Sequence, residues 1–476
     1  MRLRTLLVLG VVIRVSLAPF LAHTFDVYAW YIMAMDIVRT PFAYVPFPPM
    51  LYYTFFPFAY LYDFLSREFG FQPYPMVDIP PELNPYPQMH IAYVTDPVFN
   101  VAIKLPFILA DVASTYLLYN FVLELRHSES LAEASALLFF LNPYLIWISS
   151  AWGMFDSLPA FFSLASLVLL HRRRLTSSAI SLSVATAYKL YPLLFMVPVL
   201  LFLRRQNYQL RQLVIYVLAY LVTLFALFLP RLTSYFGAMV ETLHGLVTSA
   251  PAVGRSGFGL TYWSILLVIP SSNTVVVWIS NSVLVFMLAA VTVVALKRRA
   301  ASILTVNRVQ LAYVLAVFLS FRFVPEQFFV WALPFMILAI AEERIEKGIY
   351  WAASAVALLY AVTNLRLPFY FLPLYPWIGT LLRDWMHWFY GAIARSPPSM
   401  AALPYVPDLF LGSAVAATLG TAFSLLMVIA LLEILPERRR VILATVFGSL
   451  AKRCKIIAHS VAISLLRAFY HRQPVE

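Results

Sequence analysis

Long apolar runs separated by short polar and mostly basic breaks dominate the chain. Taken in order, they predict helices near 5–22, 100–124, 131–150, 155–171, 176–188, 190–203, 211–230, 273–296, 303–321, 327–341, 349–364 and 408–434. A bilayer crossing takes about 20 residues, so several of these runs are short, and 176–203 reads as one broken helix pair that dips and returns. The pattern describes an all-α polytopic membrane protein with about twelve transmembrane helices, in which residues 1–434 form a single transmembrane domain and 435–476 a basic amphipathic tail. Outer segments fall at 23–99, 231–272 and 365–407. The first and last are rich in Pro, Tyr, Phe and Trp rather than in Gly, Ser and charge, which argues against disordered linkers and puts them on the membrane surface. Within the first, Pro48–Leu65 is apolar enough to pass for a span. A crossing there would invert every later loop, so it reads as an interfacial helix anchored by aromatic side chains. No internal repeat is visible.

Composition changes the picture only by closing alternatives. With 62% hydrophobic and 12% charged residues over 476 positions, a soluble domain is excluded. The net charge of +12 would suit nucleic acid, but most of the 34 Lys and Arg sit in clusters on one side of the predicted topology: Arg2/Arg4, Arg126, Arg172–Arg174, Arg204/Arg205/Arg211, Lys297–Arg299, Arg344/Lys347, Arg438–Arg440 and the tail. That asymmetry is the positive-inside rule with a cytoplasmic N-terminus, and no nucleic-acid partner is needed to explain it. The tail alternates basic and apolar residues as an amphipathic helix on anionic membrane lipid would. A lone cysteine, Cys454, leaves no intramolecular disulfide and no cysteine-based metal cluster. The opening Met-Arg-Leu-Arg resembles a signal peptide, yet Arg14 and Pro19 lie in or near the apolar run and no small-residue cleavage site follows, so it reads as a retained first helix.

Candidate chemistry gathers at the outer helix ends, where Asp26, Asp36, Lys104, Asp111, Asp156, Lys189, Arg231, Arg255, Glu326, Arg366 and Arg383 are expected. The basic members run against the positive-inside rule. A lipid phosphate at the membrane surface would give Lys104, Lys189, Arg255 and Arg366 a reason to be there; the plainer alternatives are that Lys104 snorkels and that Arg255 pairs with Glu241. Trp30, Tyr44 and Trp152 are suited to stacking on a sugar without choosing which.

Several segments together resemble a known family: Phe25-Asp-Val-Tyr-Ala-Trp30, Pro41-Phe-Ala-Tyr-Val-Pro-Phe-Pro-Pro49, Lys104-Leu-Pro-Phe-Ile-Leu-Ala-Asp111, Leu141-Asn-Pro-Tyr144, Trp152-Gly-Met-Phe-Asp-Ser-Leu158, Ala187-Tyr-Lys-Leu-Tyr-Pro192 and Pro325-Glu-Gln-Phe-Phe-Val-Trp331. Their order and spacing are similar to those of GT-C glycosyltransferases, nearest the branch of the GPI mannosyltransferase I catalytic subunit and its prokaryotic relatives. The resemblance implies inverting transfer of a hexose, mannose by preference, from a polyprenyl- or dolichyl-phosphate sugar donor to a hydroxyl of a glycan or glycolipid acceptor on the outer or lumenal face. It implies Asp26 as general base, and Lys104, Lys189, Arg255 and Arg366 on the leaving phosphate. Trp30, Tyr44, Trp152, Asp156, Glu326 and Gln327 would line the substrate. The Asp-x-Asp pair of some relatives is absent, since Val27-Tyr28 follows Asp26, so no cofactor is expected and a divalent metal is left open. The implied location is the cell membrane of a prokaryote or the endoplasmic reticulum of a eukaryote. Two other classes use the same outer surface: a transporter or flippase for a lipid-linked sugar, and a non-catalytic assembly subunit in which Asp26 is incidental.

Overall fold

The computed structural model describes residues 2–39, 48–69, 76–78, 92–94, 96–229, 259–263, 273–297, 302–321, 324–364, 367–374, 376–381, 384–385 and 409–434. The protein is a helical membrane protein. Its helices are α1 (Leu3–Leu17), α2 (Thr24–Arg39), α3 (Pro49–Glu68), α4 (Pro97–Arg126), α5 (Glu129–Phe140), α6 (Pro143–Ile146), α7 (Ser157–His171), α8 (Leu175–Tyr188), α9 (Met196–Arg205), α10 (Leu210–Phe228), α11 (Asn273–Lys297), α12 (Ile303–Ser320), α13 (Leu333–Ala341), α14 (Lys347–Asn364) and α15 (Leu409–Glu433). Among the described residues one antiparallel pair, β1 (Met76–Asp78) on β2 (Ala92–Val94), lies between α3 and α4 in the chain, with Met76 opposite Val94. Among the described residues, α4, α10, the Trp278–Lys297 part of α11, and α12 are long and apolar enough to cross a membrane.

The described residues of the segment read as the first outer loop are mostly helix: α2 packs on α3 and α3 on α4, with Tyr60 Oη donating to Ile37 O at 3.4 Å. On α3 the residues Leu51, Tyr52, Phe55, Ala59, Tyr62 and Ser66 recur at helical spacing and are buried, while Phe56, Tyr60, Leu61 and Phe64 form an exposed aromatic stripe. Thr54 Oγ1 and Tyr188 Oη, 2.5 Å apart, bind α3 to the end of α8.

Breaks between helices follow local chemistry. The sequence reads 131–150 as one helix, but Asn142-Pro143 interrupts it and the two arms bend by 44°. Pro143 cannot donate to the preceding turn, and the Asn142 side chain caps the new helix by accepting from Tyr144 N at 2.9 Å. The same amide donates to Tyr350 Oη at 2.7 Å and Ser354 Oγ at 2.9 Å, locking the bend to α14. From Trp147 to Trp152 the coil widens to a π-helix that ends at Gly153, whose φ of +87° suits glycine. Likewise, 176–203 is a broken pair: α8 ends at extended Lys189, and a 3₁₀ turn over Tyr191–Phe195 leads into α9. Asp96 starts α4 by capping Val98 N at 2.8 Å, ahead of Pro97 at the first helical position.

One ion pair lies deep in this bundle. Arg14 Nε donates to Asp111 Oδ2 at 3.0 Å, with both side chains fully buried, and the guanidinium rests over the Phe140 ring at 4.1 Å. Asp111, one of the acids expected at outer helix ends, is the counter-ion of Arg14 and ties α1 to α4.

Asp111→Leu leaves a buried guanidinium without its partner and should cost about 3–5 kcal/mol, whereas the double variant Arg14→Met/Asp111→Leu removes both charges and should recover most of that loss. Thermal melting of the three proteins in one detergent measures both effects.

Candidate functional site

The first turn of α2, the π-helical turn, the residues preceding α7, the α8 terminus and the 3₁₀ turn Glu326–Trp331 converge on one cluster. Asp26 is 15% exposed at its side chain. Its Oδ2 accepts from Trp152 Nε1 at 2.6 Å and lies 2.9 Å from His23 Nδ1, which in turn lies 3.3 Å from the Asp26 backbone N. His23 stacks flat on Trp152, with centroids 4.4 Å apart, and both rings meet the edge of Tyr370. The cluster repeats this arrangement around Asp156, which is fully buried. Asp156 Oδ1 accepts from Trp331 Nε1 at 2.5 Å and lies 3.4 Å from Lys189 Nζ. Lys189, 18% exposed, extends over the rings of Phe155, Phe328 and Trp331 at 4.6, 4.7 and 5.5 Å.

Behind the cluster sits Lys104. Its ammonium is fully buried and donates to the carbonyls of Ala18 (2.8 Å), Leu21 and Ala151 (3.5 Å). With its three protons committed to backbone, it has none to give a phosphate. Gly153 packs directly on it, for a Cβ there would come within 2.8 Å of Lys104 Cε. Trp30 is also buried, and its indole donates to Gly153 O at 2.8 Å. It is a wall of the core rather than a platform for a sugar. Glu326 and Gln327 are nearly buried, and the Glu326 carbonyl accepts from Tyr144 Oη. Asp26, Trp152, Asp156 and Lys189 are thus brought together, Lys104 and Trp30 support them from behind, and Tyr44, Arg255 and Arg366 lie outside the described residues. The reading from sequence missed His23, Phe155, Phe328, Trp331 and Tyr370. His23 opens the stretch that carries Asp26 and Trp331 closes the last quoted segment, so chain proximity to an acid or to a quoted motif was the available signal. No group of three metal-ligating side chains occurs among the described residues.

Burial by itself would push the Asp26 carboxyl up. The charge and hydrogen bond of His23, the Trp152 N–H and the charge of Lys189 outweigh it and hold the carboxyl below its ordinary 3.8. Such an acid binds a proton weakly, which is the opposite of what a general base near neutral pH requires.

This is an integral membrane protein with a paired-carboxylate, aromatic-walled site built from several segments distant in sequence. The family model for the GPI transamidase subunit PIG-U matches residues 87–254, about a third of the chain, including α4 to α10 and with them Lys104, Trp152, Asp156 and Lys189. No curated protein matches the chain. The matched family is a transamidase subunit and no glycosyltransferase family matches, which overturns the expected GT-C and mannosyltransferase membership, the hexose-transfer activity and the polyprenyl-phosphate sugar donor with its glycan acceptor. The likeness misled because acids, lysines and aromatic residues at outer helix ends are common to both readings. In the structure they mostly satisfy one another.

Because the Asp26 pKa is lowered on folding, its contribution to stability is present above the unfolded value and is lost as pH falls through the folded one. Asp26→Asn should therefore lower stability by about 1.5–3 kcal/mol at pH 7, with the gap to wild type closing as pH drops below about 4. Melting curves across that range check the sign; a gap that widens in acid contradicts it.

Proposed function

We propose that this chain is a non-catalytic membrane subunit of a multiprotein assembly of the GPI transamidase type. The observation that carries this reading is the match of residues 87–254 to the PIG-U family. The geometry agrees with it: the depressed Asp26 carboxyl is engaged by His23 and Trp152, and the Lys104 ammonium is spent on carbonyls. In this role the cluster fixes the relative placement of α2, α7, α8 and the Glu326–Trp331 turn, and so shapes a surface for partners on the outer or lumenal side. Its location would be the endoplasmic reticulum membrane. We further propose that the helices make about twelve crossings with the N-terminus inside, the shorter ones tilted or paired across breaks such as Asn142-Pro143, and that residues 1–434 form one domain followed by a basic surface tail.

Gentle detergent extraction of a tagged chain from its native membrane should give a multiprotein complex with transamidase activity that the isolated chain lacks. Recovery of the chain alone, or of transamidation by the chain alone, overturns the subunit reading. For topology, with Cys454 replaced, a cysteine at Arg173 should react with an impermeant thiol reagent in sealed endoplasmic reticulum vesicles whose cytoplasmic face is outward, and one at Ser396 should react only after the vesicles are permeabilised. The reverse result sinks the orientation.

A further inference from the structure

The edge of the hydrocarbon can be located on α4. Near its C-terminus Glu124 pairs with Arg172, and both side chains are exposed to about the same degree. Twenty residues back along the helix stands Lys104, and at about 1.5 Å per residue that distance is the ~30 Å of a bilayer's apolar core. Two neighbours reach the same level, for Tyr188 ends α8 just before the break at Lys189 and Leu227 lies in the last turn of α10. The first two turns of α4, ahead of Lys104, therefore stand outside the core.

α3 attaches across this level and climbs. Its start is tied to the ends of α10 and α8, with Tyr53 Oη donating to Leu227 O at 3.4 Å and Thr54 Oγ1 meeting Tyr188 Oη at 2.5 Å. Phe55 packs on Phe107, three residues inside Lys104, whereas two turns later Tyr62 packs on Phe99 and donates to the Asp96 carboxylate, eight residues outside it. The two helices run antiparallel, so α3 stands up from the surface on which the sequence lays it. Its free face is graded to match. Phe56, Tyr60, Leu61 and Phe64 come first, and the exposed charges Arg67 and Glu68 follow, with Arg67 paired to Asp63 at 2.8 Å. At Tyr53 this face joins the bare side of α10, a helix apolar enough to span, on which Val222, Phe225 and Leu229 are exposed.

We propose that the free face of α3 is a phospholipid contact set at a steep angle. Phe56 meets acyl chains at the edge of the core, Tyr60 lies at the glycerol level, Phe64 reaches the headgroups, and Arg67 and Glu68 clear them. Aromatic residues followed by charge is the order met on leaving a bilayer, and a protein partner would require no such order. The inference rests on α4 crossing the membrane, not on the subunit reading, and it holds for either orientation.

The test uses the full-length protein with Cys454→Ser and one added substitution, Phe56→Cys, Tyr60→Cys, Phe64→Cys or Glu68→Cys, each carrying a nitroxide and reconstituted in phosphatidylcholine vesicles. Collisions with oxygen, which concentrates in hydrocarbon, are compared with collisions with a neutral nickel chelate, which stays in water. Labels at Leu218→Cys on α10 and Arg173→Cys after α7 set the lipid and water limits. The oxygen-to-nickel ratio should start near the Leu218 limit at Phe56 and fall stepwise through Tyr60 and Phe64 to the Arg173 limit at Glu68. A variant whose melting departs from that of the Cys454→Ser protein is replaced by Leu61→Cys, whose ratio should lie between those of Phe56 and Glu68. Water-limit ratios along the whole face place it clear of the bilayer, one constant ratio lays the helix flat, and exclusion of both reagents means that another chain covers it; each of these overturns the proposal.

Discussion

The ammonium of Lys104 is the interaction on which the packing around the candidate site depends. It gathers the carbonyls of Ala18 and Leu21, just past α1, and of Ala151, within the π-helical turn. These are places where the chain leaves regular α-helix, and away from water a free carbonyl must find another donor. One side chain from the first third of a long helix supplies it for three of them. The position of α2 follows, since its entry through Ala22 and His23 is fixed by backbone bonds to Tyr370 O and Trp152 O. Asp26 and Trp152 then meet as a result of that anchoring. The candidate site is, in this sense, the exposed rim of a buried polar knot.

Much of the helical layout was legible because membrane helices announce themselves by apolar length. The run 211–230 appears as Leu210–Phe228, and 303–321 as Ile303–Ser320. The bend at Asn142-Pro143 was not visible, because apolar residues continue through it and the deciding bonds go to Tyr350 and Ser354, more than two hundred positions away. The same limit applies to the site. Asp26, Trp152, Asp156 and Lys189 stood out by residue type and by their position at helix ends, and they do converge. Their partners did not stand out. Trp331 lies 175 positions from Asp156, and Lys104 binds carbonyls, which leave no mark in a sequence.

That second gap explains why a catalytic reading was attractive. A lysine among outer-face acids and aromatics looks available to a phosphate until its three protons are followed to their acceptors. An aspartate after a first helix looks like a base until His23 and Trp152 are found on its oxygen. Residue identity states what a side chain can do, and only its neighbours state how much of that capacity is left over. In this cluster, among the described residues, the buried surplus is Asp156 Oδ2, which no hydrogen bond reaches.

The Arg14–Asp111 pair has a consequence for biogenesis. Ribosomes deliver the chain from its N-terminus, and the two partners are 97 residues apart. The cation on α1 therefore reaches the membrane well before its counter-ion exists. During that interval the Arg14 guanidinium lacks the partner it has in the folded protein, and an unpaired cation on an apolar helix is costly until it reaches headgroups or water. Arrival of α4 ends the exposure and seats α1. α1 is thus made before α4, yet it cannot take up its paired position until α4 is made.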